Sequence, residues 1–258
     1  MSEFRKKLIN DTNIFFDGTY ETVSGRNVPD LESVAFGRKG KEVELAMLFI
    51  DIKESTRIVD AFRLTTAARM YQAFLRGITL IAKKNNGEIR SFNGDGVLVT
   101  FYGGSKCNNA VRSALQMMDF INAILKPKIH SYFNNNKQSD SLFFDCGIGI
   151  DVGNILVVRG GAKGDNNSDL VWVGNPTNFA VKLSAQTKEE VEISGGRKTI
   201  KYNIHITNRV YNKLKKDLKI MPNPALSILP IRIWQKYPTL EGLFSDTLIY
   251  RTNKALPF

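Results

Sequence analysis

The segment Glu44-Leu-Ala-Met-Leu-Phe-Ile-Asp51 sets the architecture of this 258-residue chain. A short, bounded apolar run is typical of a buried strand, and this one ends on an acid that needs a reason to be there. A long amphipathic helix is predicted over 55–84, where apolar residues recur mostly four positions apart until the chain reaches Asn85-Asn86-Gly87. The first part of the chain therefore predicts a strand, an acid and a helix in that order.

A β-hairpin is predicted directly after that helix. Strands over 88–92 and 97–102 flank Asn93-Gly94-Asp95-Gly96, a tight turn in which glycines accept positive φ. In a β-α-β-β unit, the end of the first strand and the turn of the following hairpin fall side by side. We therefore expect the carboxylates of Asp51 and Asp95 to face one cavity.

Two carboxylates this close together repel each other unless a divalent cation lies between them. Mg²⁺ and Mn²⁺ are hard ions that take carboxylates together with substrate phosphates. The segment Ile52-Lys53-Glu54-Ser55-Thr56 follows the first acid and begins the helix, whose first N–H groups have no intrahelical partner and favour anions. Lys53, Glu54, Ser55 and Thr56 are thus candidate phosphate-binding residues, and plain N-capping by Ser55 is the alternative.

The remainder of the chain alternates further helices and strands. Strands are predicted over 142–151, 155–158 and 170–173 and near 227–234 and 247–251, and helices over 108–125, 176–187 and 208–216. There is no internal repeat or linker, which predicts one α+β domain over residues 43–258. Residues 1–42 form an N-terminal arm in which glycines and Pro29 interrupt any long element.

Composition excludes several classes of protein. The chain has 43% hydrophobic residues, two cysteines and two histidines, which argues against disorder, a disulfide framework and zinc sites built on histidine pairs. Its net charge of +11 is dispersed in short groups, which favours solvated faces over nucleic-acid binding. No apolar run approaches signal-peptide or transmembrane length, so we expect a cytoplasmic protein that binds no membrane.

Three stretches together resemble the signature blocks of the class III nucleotidyl cyclase catalytic domain. They are Phe49-Ile-Asp51-Ile-Lys-Glu-Ser-Thr56, Phe92-Asn-Gly-Asp95-Gly-Val-Leu-Val-Thr-Phe101 and Val173-Gly-Asn-Pro-Thr-Asn178-Phe-Ala-Val-Lys182. The resemblance spans roughly residues 43–252. It implies a ferredoxin-like βαββαβ core that works as a head-to-tail homodimer, with catalytic sites shared between two chains.

The same resemblance implies roles for individual residues. Asp51, Asp95 and the backbone carbonyl of Ile52 match the family's site for two divalent cations, Mn²⁺ or Mg²⁺. Asn178 matches the residue that orients the ribose, and Lys182 stands where the family usually has an arginine at the α-phosphate. The implied reaction joins the ribose 3′-oxygen to the α-phosphorus, giving a 3′,5′-cyclic nucleotide and pyrophosphate. Lys236 is a weaker candidate for the terminal phosphates, because its spacing fits poorly.

The positions that select the base depart from the purine cyclases. Ser91 and Val171 stand where adenylate and guanylate cyclases have their characteristic pairs, and Phe49 either narrows the pocket or packs in the core. This departure resembles the bacterial pyrimidine cyclases of anti-phage (Pycsar) signalling, which implies CTP or UTP as substrate and a separate effector protein that binds the product. The residues do not choose between the two bases.

Other interpretations stay open on the sequence. A purine cyclase with an unusual base pocket keeps the same fold and metal pair. A nucleic-acid enzyme with a polymerase-like palm also places two metal carboxylates on a ferredoxin-like core, but it gives Asn178 and Lys182 no role. A nucleotide sensor without activity leaves Asp51 and Asp95 unexplained.

Overall fold

A computed structural model describes residues 1–135, 144–161, 168–186, 188–193, 196–221, 231–237, 249–254 and 256. The helices are α1 (Glu3–Phe16), α2 (Ser55–Ala61), α3 (Leu64–Lys84), α4 (Lys106–Asp119), α5 (Lys126–Asn135), α6 (Asn175–Ala185) and α7 (Asn208–Asn212). A π-helical turn (Phe120–Leu125) joins α4 to α5, and a 3₁₀ turn covers Lys216–Leu218. Among these residues, no helix combines the length and apolar character needed to cross a membrane.

The strands are β1 (Glu21–Ser24), β2 (Lys39–Ile52), β3 (Gly87–Asn93), β4 (Gly96–Phe101), β5 (Cys146–Gly161), β6 (Ser168–Val173), β7 (Lys188–Ile193), β8 (Gly196–Lys201), β9 (Ile204–Thr207), β10 (Ile220–Met221), β11 (Ile231–Arg232), β12 (Gln235–Tyr237) and β13 (Ile249–Thr252). Nine strands of the described residues form one sheet in the order β12-β13-β9-β5-β2-β4-β3, with β1 beside β2 and β6 beside β5. The pairs β7–β8 and β10–β11 stand apart from it.

The centre of the sheet has the predicted ferredoxin-like arrangement. The strands β5, β2, β4 and β3 are antiparallel neighbours in that spatial order, while the chain passes through β2, β3, β4 and β5. Helices α2 and α3 connect the first of these strands to the second, and α4 and α5 connect the third to the fourth. This βαββαβ path confirms the α+β fold class expected from the sequence.

Alternation along β2 separates two hydrophobic clusters, because successive side chains of a strand point to opposite faces. Ala46, Leu48, Ile50 and Ile52 pack with residues of α3 and α4. Leu45, Met47 and Phe49 pack in a second cluster on the other face, beside Leu98, Val28 and Val34. Asp51 points to the same face as Leu45, Met47 and Phe49, so its carboxylate lies on the face opposite α3 and α4.

Helix α6 lies on that same face, directly against β5. Gly147 and Gly149 pair with Asp51 and Phe49 across the β5–β2 ladder. A Cβ atom at Gly147 would lie 2.0 Å from the carbonyl oxygen of Ser184, and one at Gly149 would lie 2.0 Å from that of Ala180. The lack of side chains at Gly147 and Gly149 therefore allows α6 to lie directly on the sheet.

Two details differ from the sequence-based expectations. The helix predicted over 55–84 is two helices, because Phe62 is extended (φ −130°, ψ 158°) and stacks on Phe133 at 4.6 Å between ring centroids. The strands predicted over 142–151 and 155–158 are one strand, β5, because Gly153 and Asn154 continue the ladder with β2. Residues 142 and 143 lie outside the described residues.

The N-terminal arm is more regular than expected. Helix α1 ends before the first glycine, so the expectation that the arm has no long element was wrong. Strand β1 pairs with the start of β2, and Val28 and Val34 belong to the second cluster. The division of the chain at residue 42 stays a prediction.

Two further helices end elsewhere than predicted. The helix predicted over 108–125 begins at Lys106 and continues to Asn135. Its π-helical turn ends at Leu125, two residues before Pro127, which has no N–H group to donate. The helix predicted over 208–216 is limited to α7. Of the strand predicted near 227–234, residues 227–230 lie outside the described part. The strand predicted over 247–251 is described from Ile249 onwards, as β13, and residues 247 and 248 lie outside the described part.

We predict that Gly149→Ala lowers the free energy of unfolding by about 1 to 3 kcal/mol, since the added methyl group forces α6 off the sheet. Gly104→Ala is the matched control, because a Cβ atom there meets no heavy atom within 4 Å. Urea denaturation of both variants measures the difference. Equal stability of the two variants would contradict the packing described for α6.

Candidate active site

Asp51 is the penultimate residue of β2 and is half-buried. On one side its ladder partner is Gly147 of β5. On the other side, the β2–β4 register continues from the pair Ile50–Val97 to place Gly96 opposite Asp51. A Cβ atom at Gly96 would lie 3.1 Å from Asp51 Oδ1. The Phe49 ring covers Gly96, and Lys53 together with the α6 backbone covers Gly147, so the two glycines allow these groups to pack closely beside the carboxylate.

Asp95 reaches the same place through the hairpin turn. Asn93 and Gly96 close a two-residue turn in which Gly94 has φ +63°. Positive φ at the first central residue is the geometry that requires glycine in type II′ turns. Asp95 is half-buried and directly precedes Gly96, the residue opposite Asp51. The structure thus brings the two acids together, and their role in metal binding stays a prediction.

The electrostatics of the pair show how close the two acids are. The pKa of Asp51 is raised, first by burial and then by the negative charge of Asp95. The Lys53 ammonium and the Ile52 backbone N–H, which donates to this carboxylate, act in the opposite direction. The folded chain therefore holds two like charges beside each other in a partly desolvated place, an arrangement that a cation stabilises.

Lys53 lies between the acids and the start of α2. Its Nζ is 3.1 Å from the Cβ position of Gly147, and its backbone N–H donates to the carbonyl of Asp145 at 2.8 Å. Burial lowers the pKa of Lys53, while Asp51 and the other nearby acids raise it. The lysine is thus a half-buried cation at the edge of the acid pair.

The donor set suits a hard divalent cation. Among the described residues, no three side chains of histidine, cysteine, aspartate or glutamate converge on one point. Asp51, Asp95 and the Ile52 backbone therefore offer a partial oxygen set. Mg²⁺ characteristically uses one or two carboxylates and completes its shell with water and substrate phosphates.

The turn that begins α2 differs from plain capping by Ser55. Glu54 is the N-cap residue, and Ser55 is the first residue of the helix. Glu54 has φ 55°, a left-handed conformation that is uncommon outside glycine, and its side chain is paired with Arg57. Ser55 is half-buried and Thr56 is exposed. Backbone outliers of the kind seen at Glu54 often occur at ligand sites.

Tyr71 is a neighbour of the acids that the sequence analysis missed. Its hydroxyl donates to the carbonyl of Ser55 at 3.2 Å, which ties α3 to the start of α2. Its pKa is raised by burial first, and then by Asp95 and Asp51. Helical periodicity alone does not single it out, because the break at Phe62 changes which face of α3 meets the site.

The three candidate base-selecting residues lie on three different strands, Phe49 on β2, Ser91 on β3 and Val171 on β6. Ser91 pairs with Leu98, which pairs with Phe49, so these three side chains share one face of the sheet. Phe49 is only 7% exposed and belongs to the core cluster. Val171 is 47% exposed and alternates with the inward-facing Trp172. Val171 therefore lines an open surface, whereas Phe49 packs inside.

Arg90 connects the strands that carry Ser91 and Val171. It occupies the bulge in the β3–β4 ladder between Ile89 and Ser91. Its guanidinium lies 5.6 Å from the ring centroid of Trp172 on β6 and is paired with Glu88. This contact across the sheet was not foreseen, because a bulge has no simple signature in the sequence.

Asn178 and Lys182 lie one turn apart on the outer face of α6. Both are exposed, whereas Pro176, Ala180, Leu183 and Ser184 are buried. Their side chains thus point away from the sheet that carries Asp51 in the same chain. Lys236 is exposed on β12, at the edge of the main sheet opposite β3.

Comparison with known proteins identifies the family. No protein-family model matches the chain. A uridylate cyclase from Burkholderia cepacia is 31% identical over 216 residues, which cover 83% of this chain and 84% of the relative. A uridylate cyclase from Xanthomonas perforans is 29% identical over 239 residues, or 92% of this chain and 91% of that protein. The chain belongs to this family of class III nucleotidyl cyclases.

Solved structures of other cyclases share the fold. The adenylyl cyclase CyaB from P. aeruginosa superposes with a TM-score of 0.60 at 20% identity, covering 82% of this cyclase and 94% of that chain. The guanylyl cyclase Cya2 superposes with a TM-score of 0.60 at 14% identity, covering 84% of this cyclase and 95% of that chain. The resemblance to the class III catalytic domain is thereby confirmed at the level of fold.

We predict that Asp95→Asn stabilises the metal-free cyclase at pH 7. A carboxyl group whose pKa is higher in the folded chain than in the unfolded chain destabilises the fold at pH above both values. The substitution removes one of the causes that raise the pKa of Asp51. The gain should vanish as the pH falls below the ordinary aspartate pKa of about 4. Thermal unfolding of both proteins in EDTA, at pH 7 and at a pH below about 4, measures the gain in stability.

Mn²⁺ should make wild type more stable than Asp95→Asn, the reverse of their order without metal. Wild type gains about 2.7 kcal/mol at a Mn²⁺ concentration 100 times its dissociation constant, while Asp95→Asn loses most of that gain. Asp11→Asn, which neutralises an exposed acid on α1, should behave as wild type. Full stabilisation of Asp95→Asn by Mn²⁺ would show that Asp95 is not a ligand.

Proposed function

We propose that this cyclase converts a pyrimidine ribonucleoside triphosphate, UTP, to its 3′,5′-cyclic monophosphate and pyrophosphate in a metal-dependent reaction. The observation that carries the proposal is the meeting of Asp51 and Asp95 where the end of β2 lies beside the β3–β4 turn. The preference for UTP over CTP is supported by the two relatives, both named uridylate cyclase.

Asp51, Asp95 and the carbonyl of Ile52 would hold two divalent cations, Mg²⁺ or Mn²⁺. Bound there, the cations supply positive charge that lowers the pKa of the ribose 3′-hydroxyl and balances the charge of the leaving pyrophosphate. The 3′-oxygen attacks the α-phosphorus, and the bond from that phosphorus to the pyrophosphate oxygen breaks. Lys53, Glu54, Ser55 and Thr56 form the turn that receives the phosphates, with Lys53 adding positive charge next to Asp51.

The second half of the site would come from a partner chain in a head-to-tail homodimer. Asn178 and Lys182 point away from the acids of their own chain, as a site shared between two chains requires. Around them the single chain exposes apolar side chains: Val171 is 47% exposed, Val173 50% and Val181 42%. An exposed apolar surface of this kind is typical of an interface.

Within that shared site, Asn178 orients the ribose and Lys182 stabilises charge on the α-phosphate. The two residues are one helical turn apart and so reach one substrate. Lysine keeps the positive charge of the usual arginine but lacks its bidentate fork. We therefore expect the Lys182→Arg variant to keep its activity.

The base pocket would be built by Ser91, Val171 and the packing of Phe49. Val171 forms no hydrogen bond to a base, so a buried adenine amino group would lose about 1 to 3 kcal/mol there. The Ser91 hydroxyl both donates and accepts, which suits the carbonyl and N–H groups of a pyrimidine edge. Loss of the purine partners thus supports a smaller base.

The cellular role we propose is synthesis of a second messenger in cytoplasmic anti-phage defence, with the product bound by a separate effector protein. Its support is the resemblance to the anti-phage pyrimidine cyclases. Both cysteines are buried free thiols, which fits a reducing compartment.

Incubation with Mn²⁺ and each of the four ribonucleoside triphosphates tests the reaction. We expect cyclic UMP and pyrophosphate from UTP, identified by mass spectrometry. Asp51→Ala and Asp95→Ala should each lower kcat at least about 100-fold, because the charge on the leaving group is no longer balanced. A purine product alone would refute the base assignment, and no product from any nucleotide would refute the reaction.

Mixing of inactive variants tests the shared site. Asp51→Ala damages the acid half and Asn178→Ala damages the helix half. A mixed dimer then contains one intact site, and random pairing in a closed two-fold dimer restores about a quarter of wild-type activity. The absence of any rescue, with dimers confirmed by light scattering, would contradict a site built from two chains.

A further inference from the structure

Asp151 is a buried acid that the proposed reaction does not use. Its side chain is completely buried on β5, between Gly149 and Gly153 on the face beneath α6. The Thr207 hydroxyl donates to Asp151 Oδ1 at 2.6 Å, and the Arg209 guanidinium is ion-paired with Oδ2. A fully buried carboxylate is costly unless it is paired in this way. Its presence in the sheet therefore calls for a role that a hydrophobic residue does not supply.

Arg209 contacts both Asp151 and residues of α6, so it links the buried acid to the helix. The guanidinium lies 5.7 Å from the ring centroid of Phe179, the residue that follows Asn178. Its Nη1 atom is also 3.9 Å from the Cβ position of Gly153, over which Pro176 packs. The ion pair thus reaches the first two turns of α6, where Asn178 is located.

Gly147 and Gly149 of β5 form the surface beneath α6, and this surface explains why the contact between Arg209 and Phe179 is needed. Gly147 and Gly149 allow the helix backbone to approach closely, but they present no side chains that interlock with it. Rotation of α6 about its own axis must then be fixed by side chains at its flanks. Phe179 packs with Leu183 and Ile249, and Arg209 lies against the same ring. The aromatic ring is therefore held between apolar neighbours and the guanidinium.

We propose that Asp151 and Arg209 are positioning residues, which fix the rotation of α6 and so direct Asn178 and Lys182 towards the substrate. Thr207 completes the arrangement, because its hydroxyl both donates to Asp151 and accepts from the Val210 N–H as the N-cap of α7. The orientation of α7, and with it Arg209, is thereby tied to the buried acid. This inference rests on the proposed function.

Steady-state kinetics of Asp151→Asn and Arg209→Lys test the positioning role. Asp151→Asn should lower kcat about 10- to 100-fold with KM changed less than about threefold, since small misplacement of catalytic groups has effects of this size. Arg209→Lys keeps the ion pair but loses the flat guanidinium over Phe179, so it should retain intermediate activity. Unchanged kcat in folded Asp151→Asn would overturn the proposal.

Asp217→Asn is the matched control. It breaks an exposed ion pair, in which Arg112 Nη2 lies 3.1 Å from Asp217 Oδ2. Exposed pairs contribute little to stability, so this variant should keep wild-type kcat. An equal fall of kcat in Asp217→Asn would mean that any lost ion pair lowers activity, and it would overturn the proposal.

Mixing experiments separate positioning from general damage to the fold. Asp151→Asn should regain activity when mixed with Asp51→Ala, whose α6 is intact, and should gain none with Asn178→Ala, which has the same half damaged. Rescue by Asn178→Ala, or no rescue by either, would overturn the proposal. The mixture of Asp51→Ala with Asn178→Ala is the reference. If this reference fails, the shared site is refuted and the inference falls with it.

Discussion

Repulsion between Asp51 and Asp95 is the constraint on which the rest of the structure depends. The β2–β4 ladder and a two-residue turn hold the two carboxylates near each other, and the pKa of Asp51 is raised first by burial and then by the charge of Asp95. The fold keeps this unfavourable pair, and glycines at positions 96 and 147 let Phe49, Lys53 and α6 pack closely around it. In the proposed function, a divalent cation and a polyphosphate bound here would remove the repulsion and make the arrangement favourable.

Helix α6 is the second structural element of the proposed site, and it is positioned on the sheet by packing rather than by charge. Helix α6 lies on a glycine surface and presents Asn178 and Lys182 outwards, away from the acids of its own chain. In the proposed function, one chain carries two half-sites that face different directions. A two-fold dimer would unite them without any further domain, since each chain would supply what the other lacks. The buried pair of Asp151 and Arg209 gives the helix a defined rotation, which a smooth surface does not provide.

Much of this arrangement could be predicted from the sequence, because its signals are local. The apolar run before Asp51, the glycines around Asp95 and the helical spacing of Asn178 and Lys182 each depend on a few neighbouring residues. The features that escaped prediction depend on distant contacts. Phe62 breaks a helical pattern because Phe133 stacks on it, Gly153 continues a strand because Leu45 pairs with it, and Tyr71 joins the site through Ser55. None of these partners is visible in the periodicity of one segment.

A crystal structure of the cyclase with Mn²⁺ and a non-reactive UTP analogue tests the central claim most directly. Anomalous scattering locates manganese without reference to the protein. The account predicts two manganese peaks within coordination distance of carboxylate oxygens of both Asp51 and Asp95, with the triphosphate on the same ions. Manganese bound elsewhere, or nucleotide bound while the two carboxylates stay free of metal, would contradict it.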